Sequence, residues 1–200
     1  MMLSGKGLAC QRGGRMVFSG LDFSLRAGQA LPLTGPNGAG KSSLLRLLAG
    51  LLPAAAGRID FKGGSPERSL GEQAHYLGHQ DALKTQLTVL ENISFWASYM
   101  RGTLAGDDAL TAVGLCELAN VPAAYLSAGQ RRRLSLARLV AIQRPVWLLD
   151  EPNASLDDSA QKILSAMMRD HLKRGGLIIA ATHAPLGIKS ARELRLGRAR

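Results

Sequence analysis

The run Gly35-Pro36-Asn37-Gly38-Ala39-Gly40-Lys41-Ser42 has the residue types and spacing of a phosphate-binding loop. Its glycines permit positive φ angles and put no Cβ in the way, so successive backbone N–H groups can turn toward phosphate oxygens. A helix beginning at the lysine adds the positive end of its dipole. Lys41 is then suited to the β and γ phosphates, the Ser42 hydroxyl to a Mg2+ ion, and Ser43 continues the same turn. By itself such a loop implies only that a nucleoside triphosphate binds. The second chemical feature is Trp147-Leu148-Leu149-Asp150-Glu151-Pro152, where adjacent carboxylates end an apolar run. Asp150 suits the Mg2+ shell, and Glu151, one residue further into the loop, suits polarising the water that attacks the γ-phosphate.

These groups need elements to position them. Ala30 to Thr34 reads as a strand ending at Gly35, and leucines 44, 45, 47, 48 and 51 recur at helical spacing until Gly50 and Pro53. Val146 to Leu149 and Leu177 to Ala181 are continuous apolar runs, as expected of parallel strands covered on both faces. Between them Asp157 to Lys173 places Ile163, Leu164, Met167, Met168 and Leu172 on one side of a helix closed by Gly175 and Gly176. The order is βαβ, which predicts an α/β core with the carboxylates at the strand edge where open sheets bind ligands. Val17 to Leu25 is further strand material. Pro32 would cost a central strand one ladder hydrogen bond, so either the strand is irregular there or its pairing starts later. From about Asp81 to Leu126 the pattern turns helical. One helix carries Leu87, Leu90, Ile93, Phe95, Trp96, Tyr99 and Met100, and another Leu110, Val113, Leu115 and Leu118. The aromatic residues read as core, with a docking surface as the alternative.

Composition limits the rest. At 200 residues, with 46% hydrophobic and 20% charged side chains, the chain has material for one domain with a proper core. Cys10 and Cys116 form no metal-ligand or CxxC pattern. No apolar run approaches the roughly 18 residues needed to span a bilayer, and the start lacks a signal-peptide layout, so a soluble globule that neither crosses a membrane nor is secreted is expected. The net charge of +10 and pI near 10.3 fit attraction to nucleic acid, or to an anionic membrane surface and an acidic partner. The arginines are spread along the chain, which favours neither.

Leu126-Ser127-Ala128-Gly129-Gln130 resembles the signature loop that ABC-type ATPases place shortly before the carboxylate strand. Gln80, Asn153-Ala154-Ser155-Leu156-Asp157 and His183 match the same family in order. The resemblance covers essentially the whole chain. It implies an α/β P-loop core of ABC type: a mostly parallel sheet flanked by helices, with an N-terminal antiparallel β region and a helical subdomain. Residues 1–80 and 127–200 would form the catalytic core and 81–126 the helical subdomain of one nucleotide-binding domain. It also implies ATP hydrolysis in a homodimer that sandwiches two ATP molecules. Ser127, Gly129 and Gln130 would then reach the γ-phosphate held by the opposite copy, Gln80 would sense Mg2+ and γ-phosphate, Asp157 would lie at the seam, and His183 would touch the γ-phosphate. Ala128 stands where the family usually has glycine. Arg131-Arg132-Arg133 put cations at a helix N-terminus, either solvated or offset by an acidic group or phosphate. Where the family usually stacks an aromatic ring on adenine, this chain has Gln11-Arg12-Gly13, leaving Arg12 or Phe18 for that task.

Tyr76-Leu77-Gly78-His79-Gln80, Leu83-Lys84, Leu87-Thr88, Leu90-Glu91-Asn92 and the stretch from Leu126 to Arg133 narrow the resemblance to the ATP-binding subunits of cytochrome c maturation, or haem exporter, systems. That implies a bare nucleotide-binding domain on the cytoplasmic face of the bacterial inner membrane, working with integral membrane subunits and not with nucleic acid. Whether haem itself moves or a haem-loaded chaperone is released stays open. The alternatives are a soluble ABC ATPase acting on nucleic acid or ribosomes, the ATPase of another ABC exporter, and a nucleotide kinase or GTPase. A nucleotide kinase or a GTPase has no use for the Ser127 loop or His183.

Overall fold

The structure is a computed structural model and describes residues 1–100, 106–183, 186–188 and 193–197. The chain divides into two compact units. The first comprises Met1–Gly78, Arg144–Pro152 and Met168–Arg200, the second His79–Gln143 and Asn153–Met167.

In the first unit, β1 (Met2–Arg12) and β2 (Arg15–Arg26) form an antiparallel hairpin over Gly13 and Gly14. The other edge of β1 pairs antiparallel with β4 (Ala56–Lys62). Alternation buries Leu3, Phe23 and Leu25 and leaves Lys6, Ser24 and Arg26 outside. The second sheet is wholly parallel and runs in the order β5 (Ala74–Leu77), β6 (Val146–Asp150), β7 (Leu177–Ala181), β3 (Ala30–Thr34), β8 (Leu194–Arg195). Every residue of β6 and β7 is buried, as their unbroken apolar runs require.

Pro32 lies inside β3. The Gln29 carbonyl accepts from Ile178 N–H and the Thr34 carbonyl from Leu196 N–H. Alternate residues of β3 therefore face opposite neighbours, and Pro32 faces β8. Among the described residues the pairing with β8 covers Leu33 and Thr34, the two residues after Pro32.

Helix α1 (Lys41–Leu48) buries Leu44, Leu45, Leu47 and Leu48, each side chain contributing about 1.5–3 kcal/mol relative to exposure. It ends in a Schellman motif, with Leu51 N–H donating to the Arg46 carbonyl and Gly50 N–H to that of Leu47.

The second unit packs α2 (Val89–Tyr99), α3 (Gly106–Ala112) and α4 (Ala128–Ala141) on one another. A capping box of Thr88 and Glu91 starts α2. Asn92, fully buried, has its amide nitrogen donating to the carbonyls of Lys84, Leu87 and Thr88 and its oxygen accepting from Lys84 N–H. Leu115 and Leu118 fall beyond α3, because the chain turns at Gly114 into a short 3-10 turn, Cys116–Leu118. Helix α5 (Asp158–Lys173) begins in the second unit and ends in the first, with Ala160, Leu164 and Met168 buried along one stripe.

The aromatic residues of α2 are not core. Phe95 and Trp96 are half-buried and Tyr99 is 73% exposed. They stack mainly on each other, with centroids 5.4–6.1 Å apart. Helical spacing placed them on one face but could not say that the face lies outside.

Candidate nucleotide site

The loop between β3 and α1 has a shape that only its glycines allow. Gly35 sits at φ 129, and a Cβ there would stand 2.2 Å from the Leu196 carbonyl oxygen. Gly40, at φ 100, is the left-handed residue from which α1 starts. A Cβ at Gly40 would lie 2.6 Å from Val17 Cγ1 and 3.0 Å from Phe18 Cδ1, so strand β2 closes one side of the loop. Lys41 is buried, and its ammonium arches back over the loop, donating to the carbonyls of Gly35 at 2.8 Å and Pro36 at 3.3 Å. These acceptors are neutral carbonyls, which a charged phosphate can displace.

The ends of β6 and β7 bring further groups to the same unit. Asp150 is 1% exposed. Glu151 has φ +46, a left-handed conformation that costs a non-glycine residue about 1–2 kcal/mol, and its N–H donates to the Ala181 carbonyl at 2.9 Å. The kink turns its carboxylate out of the sheet. Its Oε1 lies 3.6 Å from His183 Nε2, which in turn lies 3.4 Å from Lys41 Nζ. An ammonium, an imidazole and a carboxylate thus converge beside the loop. Arg46 donates to the Tyr76 hydroxyl at 3.2 Å; that bond, then the Tyr76 and Asp150 charges, hold its pKa above the ordinary arginine value. Ser42 and Asp150 are hard oxygen donors, and a pair of them suits Mg2+, which keeps much of its shell as water and phosphate oxygen. Among the described residues no His/Cys/Asp/Glu cluster forms a cage of its own.

The second unit carries Gln80, Ser127, Gly129, Gln130 and Asp157. Ser127 caps α4: its Oγ accepts from Gln130 N–H at 3.2 Å while Gln130 Oε1 accepts from Ser127 N–H at 2.8 Å. Gln130 is thereby committed to the cap. Ala128 is exposed on the first turn, and a Cβ at Gly129 would stand 3.1 Å from the Ser155 carbonyl. Asp157 accepts from Ala160 N–H and the Ser159 hydroxyl, and those bonds, with the Arg133 charge, hold its carboxyl below the usual range.

The three arginines of α4 are not a uniformly solvated face. Arg131 donates to the Leu126 carbonyl at 2.6 Å, and Arg132, buried, pairs with Asp81 at 3.2 Å. Asp81 directly follows Gln80, which is exposed. Arg138, also buried, lies 4.9 Å from the Trp96 ring centroid, and burial pulls its pKa down to about 10. The Asp81–Arg132–Arg138 cluster was not readable from sequence, because its acid and its cations lie far apart along the chain and match no spacing rule.

Residues 18–154 match the ABC transporter family. A cytochrome c biogenesis ATP-binding export protein of Nitrobacter winogradskyi is 64% identical over 98% of both chains. One from Rhodopseudomonas palustris is 59% identical over the whole of each. Among solved structures, a putative ABC transporter ATP-binding protein from Pyrococcus furiosus superposes with a TM-score of 0.83 over 98% of both chains at 20% identity, a likeness of fold. A cbiO1 protein of Clostridium perfringens, described as part of an ABC transporter complex, gives 0.73 at 28% identity over 91% of this chain and 78% of its own.

Proposed function

The chain belongs to the ABC transporter family, alongside the cytochrome c biogenesis ATP-binding export proteins, and from that premise we propose that it is the ATP-hydrolysing subunit of such an exporter. Binding of ATP follows from the family. The observation that carries the hydrolytic reading is the approach of Lys41, His183 and Glu151 within 3.4–3.6 Å steps beside the loop.

In this reading the backbone of residues 35–43 wraps the phosphates, and Lys41 leaves its carbonyl partners for the β and γ oxygens. Glu151 orients the attacking water, and His183 bridges that carboxylate and the γ-phosphate. Ser42 and Asp150 would hold Mg2+, which would supply charge neutralisation at the triphosphate. Ser127 and the backbone around Gly129 close on the nucleotide of a second copy, so that two chains bury two ATP molecules. Because only the triphosphate bridges both copies, hydrolysis releases them, and differential binding becomes motion. Integral membrane subunits take up that motion, and the chain works from the cytoplasmic face of the inner membrane. Among the described residues no helix is long and apolar enough to cross a membrane, which agrees with partners supplying the spans.

Glu151→Gln tests the assignment. It keeps the shape and removes the base, so ATP binding persists while turnover falls by about two to four orders of magnitude and an ATP-bound dimer accumulates. Normal hydrolysis in that variant removes Glu151 from its role. Copurification with integral membrane subunits of an ABC exporter from the same cells tests the partner; recovery only in the soluble fraction when such subunits are present rules it out.

A further inference from the structure

Tyr76 on β5 is the register partner of Leu148 on β6, so these two side chains and that of Asp150, two residues on, point to one face of the sheet. Val146 and Leu148 of that face share a core cluster with Leu44, Leu45 and Leu48, which makes it the face that α1 covers. Arg46 lies on α1. Its Nε donates to the Tyr76 hydroxyl at 3.2 Å, and the Asp150 carboxylate is near enough to stabilise its charge. Arg46 is also one turn beyond Ser42, and residues four apart share a helix face. One half-buried guanidinium therefore stands beside both oxygen donors assigned above to Mg2+. Hydrolysis as proposed makes no use of it.

The charge of Arg46 completes a balance. Lys41 and Arg46 stand as cations against the carboxylates Asp150 and Glu151, so the group is close to neutral before any ligand arrives. A divalent cation gives up part of a tightly held water shell on binding, and a neutral set of groups returns little Coulomb energy for it. A triphosphate brings the missing negative charge. We propose that Arg46 is a counter-ion to Asp150 that keeps a divalent cation from settling there alone, so that the metal is taken only together with the nucleotide. The proposal rests on the assignment of Ser42 and Asp150 to Mg2+ above. Tyr76 serves it as a positioning residue, its hydroxyl fastening the guanidinium on the α1 side of the sheet.

The test measures metal uptake instead of turnover, with Mn2+ as the probe, read by its electron paramagnetic resonance on the purified full-length chain. Without nucleotide the wild type takes up Mn2+ weakly, and Arg46→Gln takes it up about tenfold more tightly, because a positive charge has gone. Arg46→Lys keeps the charge and stays like the wild type, while Tyr76→Phe, which only unfastens the guanidinium, falls between. With a non-hydrolysable ATP analogue present, wild type and Arg46→Gln hold Mn2+ within about threefold of each other, because the metal-nucleotide complex is itself an anion that Arg46 attracts. Adding Asp150→Asn to Arg46→Gln removes the extra uptake. Unchanged Mn2+ uptake in Arg46→Gln, a lysine variant that behaves like the glutamine one, or extra uptake that survives Asp150→Asn overturns the proposal. Failure of the wild type to hold Mn2+ even with the analogue overturns the assignment of Ser42 and Asp150 as well. Should Arg46→Gln unfold, Tyr76→Phe carries the comparison, and uptake no tighter than wild type then overturns the proposal.

Discussion

In the proposed cycle Ser127 has two uses for one side chain. Its oxygen already accepts the Gln130 N–H that starts α4, while the proposed contact with a second copy's ATP needs the hydroxyl to face a phosphate. An alanine would remove both, costing about 1 kcal/mol of helix stability along with activity, and would confuse them. Ser127→Asp separates the roles: aspartate caps as well as serine, so the thermal midpoint holds, but its charge repels phosphate and ATPase activity collapses. Retained activity in Ser127→Asp would remove Ser127 from the nucleotide. Gly35 gives a second contrast. Gly35→Ala drives a methyl into the Leu196 carbonyl and lowers both stability and nucleotide binding, whereas a Cβ at Gly38 meets open space and Gly38→Ala pays mainly for its φ of 79, about 1–2 kcal/mol. Denaturant midpoints of the two variants read the difference.

At the scale of elements, α5 is docked on β6 by a half-buried histidine. His171 stacks on Trp147 with centroids 4.0 Å apart, and its Nε2 faces the Leu177 carbonyl at 3.3 Å. Desolvation pulls its pKa down from 6.5 to about 4, against the smaller opposing pull of the Leu177 and Pro145 carbonyls. The unfolded chain therefore binds this proton more readily than the folded one. The contribution of neutral His171 is complete above about pH 6.5 and is lost progressively as pH falls toward 4, to the extent of roughly 2–3 kcal/mol. Urea unfolding at pH 7.5, 6 and 5 should show that decline, and His171→Phe, which keeps a stacked ring, should flatten it. In the helical unit, Arg132 ties α4 to the residue after Gln80. Arg132→Ala strips a buried partner from Asp81 and should cost about 3 kcal/mol, whereas Arg132→Ala combined with Asp81→Ala should recover part of that loss in a double-mutant cycle.

For the whole molecule, the proposed cycle turns on association. A single chain holds the loop, Lys41 and Glu151 in one unit and the Ser127 cap in the other; in the proposed cycle each nucleotide is completed by the second copy. Sedimentation of Glu151→Gln should therefore give a monomer without nucleotide and a dimer with Mg-ATP, and adding Ser127→Asp should abolish the dimer. A dimer that forms equally well without nucleotide would mean that ATP is not the bridge. The charge of +10 bears on where the dimer works. Among the described residues three of the 25 lysines and arginines, Lys41, Arg132 and Arg138, are buried.

The loop from Gly35 to Ser42, the carboxylates at 150 and 151 and the parallel strands that carry them were legible in the chain itself. Local chemistry dictates each: glycines where backbone must approach phosphate, unbroken apolar runs where both faces are covered, a leucine stripe where a helix lies on a sheet. What the sequence left open depended on partners distant along the chain. Only the fold shows that Pro32 faces β8, that the α2 aromatics lie outward, that Arg132 has Asp81, and that Phe18 is sealed in the core while Arg12 is exposed. Burial and cross-strand pairing arise when separated segments meet, so no local pattern of residues encodes them.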